Sequence, residues 1–242
     1  MNAIRLTIVC ISSLFLGYCG QYETNLFDAV TKNDRASVEH LIKDGTDIDK
    51  KNKFGETALS LVCTKGYTPI AEILINNKAD VNTVNADGVT PLMYCATYGF
   101  EEITAMLLKN NAQVNVVSRE GLTPLVYACL NNHYNIARLL IENKADINFT
   151  MHDQESILMM LCIKGYVDLA KLLIDHGANV NAKTTYLATP LMAACRNRNA
   201  GMVKLLLASK ADINAKDENS ETALDHAKRA GEPEIIRLLQ QQ

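Results

Sequence analysis

The sequence predicts an all-α solenoid, a row of short helix pairs stacked side by side, and three observations predict it. A period of 33 residues runs through the chain without insertion or deletion. Each period opens with a helix-start signal, and each helix pair is too short to bury its apolar face alone, so neighbouring copies must stack into one continuous core. Cysteine shows the period first, at Cys129, Cys162 and Cys195, with Cys63 two steps back. Other residue types keep it more strictly. A hydroxyl stands at Thr57, Thr90, Thr123, Ser156, Thr189 and Thr222, and the register extended backwards reaches Thr24. Leucine follows two places later in every copy, and a second leucine row begins at Leu41 and ends at Leu239. Seven copies fill residues 22–242, at about 22–54, 55–87, 88–120, 121–153, 154–186, 187–219 and 220–242.

Within a copy, the first helix begins at the hydroxyl residue. In TPL (90–92, 123–125 and 189–191) the Thr can accept a backbone N–H as N-cap, and the Pro stands at the first helical position, where its missing donor is harmless. This helix stops near Gly66, Gly99, Gly165 and Gly231. A second helix follows, as in PIAEILI (69–75), EEITAMLL (101–108) or VDLAKLLI (167–174), with apolar residues at helical spacing. An outgoing segment such as ADVN (79–82) or ADIN (145–148) then leads into a polar turn such as NADG (85–88) before the next Thr. The first copy carries charges along its length, and the last places Asp225, Lys228 and Arg229 on its first helix. Both read as terminal caps with a polar outer face.

This unit closely resembles the ankyrin repeat, through GVTPLMYCA (88–96), GLTPLVYAC (121–129) and DHGANVN (175–181). The resemblance implies L-shaped units, each an antiparallel helix pair with a projecting β-turn finger. There are departures. Ankyrin repeats usually carry His after TPL, where it links neighbouring turns; this chain has Ser60, Met93, Val126, Met159, Met192 and Asp225 there. The family's left-handed Gly before the ADVN loop survives only as Gly45 and Gly177. Lys78, Lys144 and Lys210 replace it, at about 1 kcal/mol each if the backbone there is left-handed, and Asn111 tolerates that conformation better. QESIL (154–158) lacks the finger Gly and the Pro, and Leu187 stands where a Gly is expected, so the fingers in that half are expected to be irregular.

Trp is absent, about half the residues are hydrophobic and the net charge is −3, so the chain offers no basic footprint for nucleic acid. The N-terminus differs from the rest. Residues 1–19 hold one Arg and an apolar stretch from Leu6 to Leu16, too short to span a bilayer comfortably, and read as an export signal. LGYCG (16–20) resembles the bacterial lipoprotein box: Leu16 and Cys19 fit it, and Tyr18 does not, since a small residue is preferred before the cysteine. The resemblance implies an exported, envelope or periplasmic protein attached to the membrane through a lipidated Cys19. Plain cleavage or secretion, and a short uncleaved anchor, are the alternatives.

The internal cysteines read as small apolar filler. Equivalent points on packed helices lie about 8–10 Å apart, beyond the roughly 7 Å a disulfide allows, and no CxxC supplies a clustered zinc site. His133 falls at a turn, His176 at a helix C-terminus where a cation suits the dipole, and His40 and His226 on the capping units. No catalytic set converges at recognisable spacing. The reading is therefore a non-enzymatic chain with no cofactor and no metal, in which the Asp and Asn of the ADVN-type loops serve loop hydrogen bonding.

A solenoid presents an extended surface of finger tips and first-helix ends, and ankyrin proteins resemble one another in gripping a protein partner there. Carrying the family's contact positions onto this chain gives a mostly polar row in which Phe54, Tyr98, Arg119, Leu130, Ile163 and Tyr186 stand out as candidate anchors. Isolated apolar surface residues are also ordinary, and Leu130 or Ile163 could pack between units. No obligate oligomer is implied. An envelope-tethered spacer and a host-directed effector are the alternative functions.

Overall fold

A computed structural model describes residues 25–241. Among them are fourteen α-helices in antiparallel pairs. The first helices are α1 (Leu26–Thr31), α3 (Ala58–Lys65), α5 (Pro91–Tyr98), α7 (Pro124–Leu130), α9 (Ile157–Lys164), α11 (Pro190–Arg196) and α13 (Ala223–Ala230). The second helices are α2 (Arg35–Lys43), α4 (Thr68–Asn76), α6 (Glu101–Lys109), α8 (Tyr134–Glu142), α10 (Val167–Asp175), α12 (Ala200–Ala208) and α14 (Pro233–Gln240). Each first helix packs on the first helix of the next pair, and each second helix on the next second helix. The fold is thus an all-α stack of helix-turn-helix units. No helix among the described residues is long and apolar enough to cross a membrane.

The capping logic is visible atom by atom. Thr57, Thr90, Thr123, Ser156, Thr189 and Thr222 each accept the N–H three residues on, at 3.1–3.4 Å. Pro91, Pro124 and Pro190 occupy the first helical position. The first pair departs from the register: α1 is capped by Asn25, whose side chain accepts from Asp28 N, while Thr24 lies outside the described residues together with the whole of the expected signal at 1–19. At the C-terminal ends, Gly66 and Gly99 are left-handed, with φ of 73° and 86°. Glycine is required there for a second reason. The ring of Phe100, from the following pair, lies against Gly66, and that of His133 against Gly99, where added Cβ atoms would fall 2.3 Å and 2.7 Å from them.

Second helices end on another side-chain device. Asn77, Asn110 and Asn143 each donate to the carbonyl four residues back, His176 Nδ1 lies 2.9 Å from Leu172 O, and Ser209 does the same to Leu205. His176 therefore acts through a hydrogen bond, where the sequence suggested only a charge at a helix end.

The core is one continuous row of rows. Leu59, Leu92, Leu125, Leu158 and Leu191 are all but sealed from solvent, as are Leu74, Leu107, Leu140, Leu173 and Leu206. The end members divide: Leu26 and Leu239 are buried, whereas Leu41 and Leu224 are half-buried. Cys63, Cys95, Cys129, Cys162 and Cys195 are buried free thiols inside this core. Loss of water pushes Cys129, Cys162 and Cys195 up to about 12, so each is held as a neutral thiol at neutral pH.

The loops carry the link that the missing His would have made. Asp49 Oδ1 accepts from Asp80 N at 2.9 Å; Asn82, Asn115, Asn148 and Asn181 repeat that bond one unit further on, each at 2.8 Å. The amide side of the same four Asn donates back to the carbonyls of Asn111, Lys144, Gly177 and Lys210. Every Asn thus clamps the following loop from both ends of its amide. The residues clamped are left-handed: Asn111, Lys144, Gly177 and Lys210 have φ of 64°, 69°, 95° and 64°, while Lys78, at 68°, follows Asp49, which accepts from Asp80 N but has no amide to donate.

Candidate partner-binding groove

Fingers are positioned by two sets of bonds. Within a finger, the residue at its start accepts across the turn, as in Asn85 with Gly88 N and Ser118 with Gly121 N. Between fingers, one backbone bond joins each tip to the next: Ala86 N to Phe54 O, Arg119 N to Asp87 O, Thr185 N to Asp153 O and Glu218 N to Tyr186 O, at 2.9–3.1 Å. Among the described residues no such bond joins His152 to Glu120. The finger there is a 3-10 turn, His152–Gln154, with Asp153 and Gln154 both left-handed and a local antiparallel bridge between Thr150 and Ser156.

The expected irregularity thus falls at 152–155 alone. Leu187, at φ 58°, keeps the ordinary turn bonds, with Leu187 N on Thr184 O and Thr184 N on Ala188 O. This corrects the expectation that Leu187 would disturb its finger: the hydrogen bonds of the turn hold a branched residue in a conformation that glycine would adopt without strain.

Downstream of the irregular finger, the face built from fingers and first helices carries a groove of about 650 Å³. Its floor is Met159, Met192 and Ala193, from α9 and α11, and all three are buried. Ile163 and Tyr186 stand at its lips, 40% and 52% exposed. Asp153, Glu155 and Glu218 come from the fingers, and Arg196 from the end of α11. Burial pushes the Glu155 carboxyl up, with the charge of Arg196 working against that rise.

The six candidate anchors are therefore distributed unequally. Ile163 and Tyr186 share the groove. Phe54 is 56% exposed on an upstream finger, with Lys53 Nζ 4.9 Å above its ring, and Tyr98, 53% exposed, ends α5 with its ring 6.2 Å from that of Phe100. Arg119 is exposed and lies 3.9 Å from Asp87. Leu130 is half-buried and packs against the core. Asp153, Glu155 and Glu218 belong to the polar contact row expected from sequence without standing out as anchors, and Met159 and Met192 lie outside it. The signal was present in the finger acids, but only folding places them around one apolar floor. Cys19 lies outside the described residues.

One cluster brings a histidine together with carboxylates. His226 does have acidic partners: its Nε2 lies 2.9 Å from Asp217 Oδ2, and Asp217, Glu221 and His226 could together reach one metal ion. The same link recurs without metal-binding residues, however. Asn85 donates to the Tyr94 hydroxyl at 2.9 Å, and Ser118 lies 3.1 Å from the Tyr127 hydroxyl, each pair nine residues apart as Asp217 and His226 are. The cluster is thus this unit's version of a finger-to-helix tie, and Arg229 further occupies Glu221. Shelter from water would raise Asp217, but the N–H groups of Glu221 and Asn219 and the ring of His226 outweigh it and hold the carboxyl below its usual value. No buried side-chain nitrogen or oxygen among the described residues is left without a partner.

Comparison with known proteins agrees with this architecture. A family profile described as Ankyrin repeats (3 copies) matches residues 26–118 and 112–184, and one described as Ankyrin repeats (many copies) matches 173–227. Among solved structures, the human ASB11 ankyrin repeat domain is similar at a TM-score of 0.76 and 25% identity, over 89% of this chain and 96% of that one. The ankyrin repeat domain of Bcl-3, described as a unique member of the IkappaB protein family, has a TM-score of 0.80 at 23% identity, over 89% and 97%. No curated protein matches the chain.

Proposed function

The chain belongs to the ankyrin-repeat family, and from that premise we propose that it captures a protein partner in the groove between the fingers at 153–155, 186 and 218 and helices α9 and α11. The scaffold is a non-catalytic interaction fold, and a protein-binding role fits it. The observation that carries the location is the pairing of a buried apolar floor with the exposed Ile163 and Tyr186 inside one charged rim. Interface energy concentrates on such apolar and aromatic anchors set in polar surroundings. Phe54 and Arg119 on the upstream fingers and Tyr98 at the end of α5 extend the contact row.

We also propose that the protein is exported by a bacterium and tethered to the envelope through a lipidated Cys19. Support comes from the apolar stretch Leu6 to Leu16 and from LGYCG at 16–20. Cross-linking in native membranes tests both readings in one preparation. A discrete partner is expected, reduced about tenfold or more by Ile163→Asn with Tyr186→Ala at an unchanged melting temperature, and less by Tyr98→Ala with Arg119→Ala. Mass spectrometry of the same material is expected to find lipid on Cys19. Self-contacts alone would mark a spacer instead, and a partner retained in full by the Ile163 and Tyr186 variant would place the contact elsewhere.

A further inference from the structure

The charges around the groove are not all available to a partner. Of its three guanidiniums, Arg229 is engaged by Glu221, and Arg198 lies 3.7 Å from Glu232 of the next helix start. Asp217 is taken by His226. What stays open is acidic on balance: Asp153 and Glu218 lie exposed on finger tips without an ion-pair partner among the described residues, against one exposed guanidinium, Arg196, whose charge acts on Glu155. These carboxylates stand around the floor of Met159 and Met192, and Tyr186 offers an exposed ring face between Asp153 and Glu218 along the bonded finger row. A surface that is negative at its rim and apolar at its floor attracts cations to the rim, repels phosphate, and takes an apolar side chain at the centre. An aromatic face beside it suits a guanidinium.

We infer that the groove takes a short cationic segment of a partner protein, with one apolar side chain on Met159 and Met192 and Lys or Arg side chains on Asp153 and Glu218. The inference rests on the groove reading given above and adds the chemistry of what is bound. Attraction to exposed carboxylates is screened by salt, so binding weakens as ionic strength rises. Because both carboxylates are surface groups, each contributes modestly, and removing the two together is expected to weaken binding about tenfold.

The test uses the full-length protein and a fluorescein-labelled peptide in which Leu alternates with Lys-Arg pairs, with a counterpart carrying Glu in place of every cation. Anisotropy is expected to show binding of the cationic peptide only, weaker at about 300 mM than at about 50 mM salt, and about tenfold weaker for Asp153→Asn with Glu218→Gln. Unchanged melting curves establish that this variant is folded. Binding of neither peptide, equal binding of both, or undiminished binding by the double variant overturns the inference. The native cross-linked partner separates failure of the charge assignment from failure of the groove. If the Ile163→Asn and Tyr186→Ala variant loses that partner while the charge variant keeps it, the cationic reading falls and the groove stands; if both keep it, the groove reading falls as well.

Discussion

Leu187 holds a φ of 58° with nearly half its side chain in solvent, so it loses the conformational freedom of a branched residue and gains little burial in return. A left-handed backbone costs an ordinary residue about 1–2 kcal/mol, and glycine's own entropy offsets about half of that. Leu187→Gly is therefore expected to stabilise the fold by about 0.5–1 kcal/mol, read as a higher urea midpoint at unchanged slope; an unchanged or lower midpoint would show that the side chain packs more usefully than its exposure suggests. Lys144 and Lys210 share the strain, but the carbonyl of each accepts from the Asn of the preceding unit, whereas Leu187 is held by the bonds of its own finger. At this scale the sequence was readable where chemistry is local: a hydroxyl before Pro is a cap, and a lysine in a glycine's place is strain. It was unreadable where a partner comes from another unit. The ring of His133 on Gly99 depends on which turn folds over which.

The Asn of the ADVN-type loops is the element that joins one helix pair to the next. Asn115 accepts from Asp146 N at 2.8 Å and donates to Lys144 O at 3.2 Å, both exposed to solvent. Losing the two bonds is expected to cost about 1 kcal/mol, since solvent replaces part of each. Asn115→Ala should lower stability by that amount and speed hydrogen exchange at the Asp146 amide, while Asn115→Asp, which keeps the acceptor as Asp49 does, should restore the Asp146 protection. Equal exchange in all three proteins would show that the Asn115 side chain does not hold the following loop. The spacing of these Asn residues was legible as part of the period, and loop hydrogen bonding was their expected role. That they bridge units was not, because a side chain reaching 31 residues ahead leaves no trace in local pattern. The departure at the position after TPL has the same explanation: Met93 and Met192 turn back to their own capping residues, with sulfur 3.4 Å from the N–H of Thr90 and Thr189, and the inter-unit bond is made in the loop instead.

Taken as a whole, the molecule is a stack in two runs. Finger tips are bonded in series at 54, 86–87 and 119, and again at 153, 185–186 and 218, with no bond across the gap between Glu120 and His152. Helices α7 and α9, on either side of that gap, also make the sparsest contact of any neighbouring first helices. Local opening follows sparse packing and exposed backbone, so limited proteolysis is expected to cut first within residues 150–156, and a first cut elsewhere among the described residues would show the stack to be uniform. The QESIL stretch pointed to this place because it lacks both finger Gly and Pro, and in a linear stack a local defect stays local. The groove was only partly legible: Ile163 and Tyr186 stood out as unusual residues on a polar row, but the acidic rim and the methionine floor come together from three units. All three finger contributions to that groove lie on the downstream run. The spacing between the tips at 153, 186 and 218 is therefore set without any bond from the upstream fingers, while the Asn115 clamp and the shared core keep both runs in one stack, so that grip is a local property carried on a common spine.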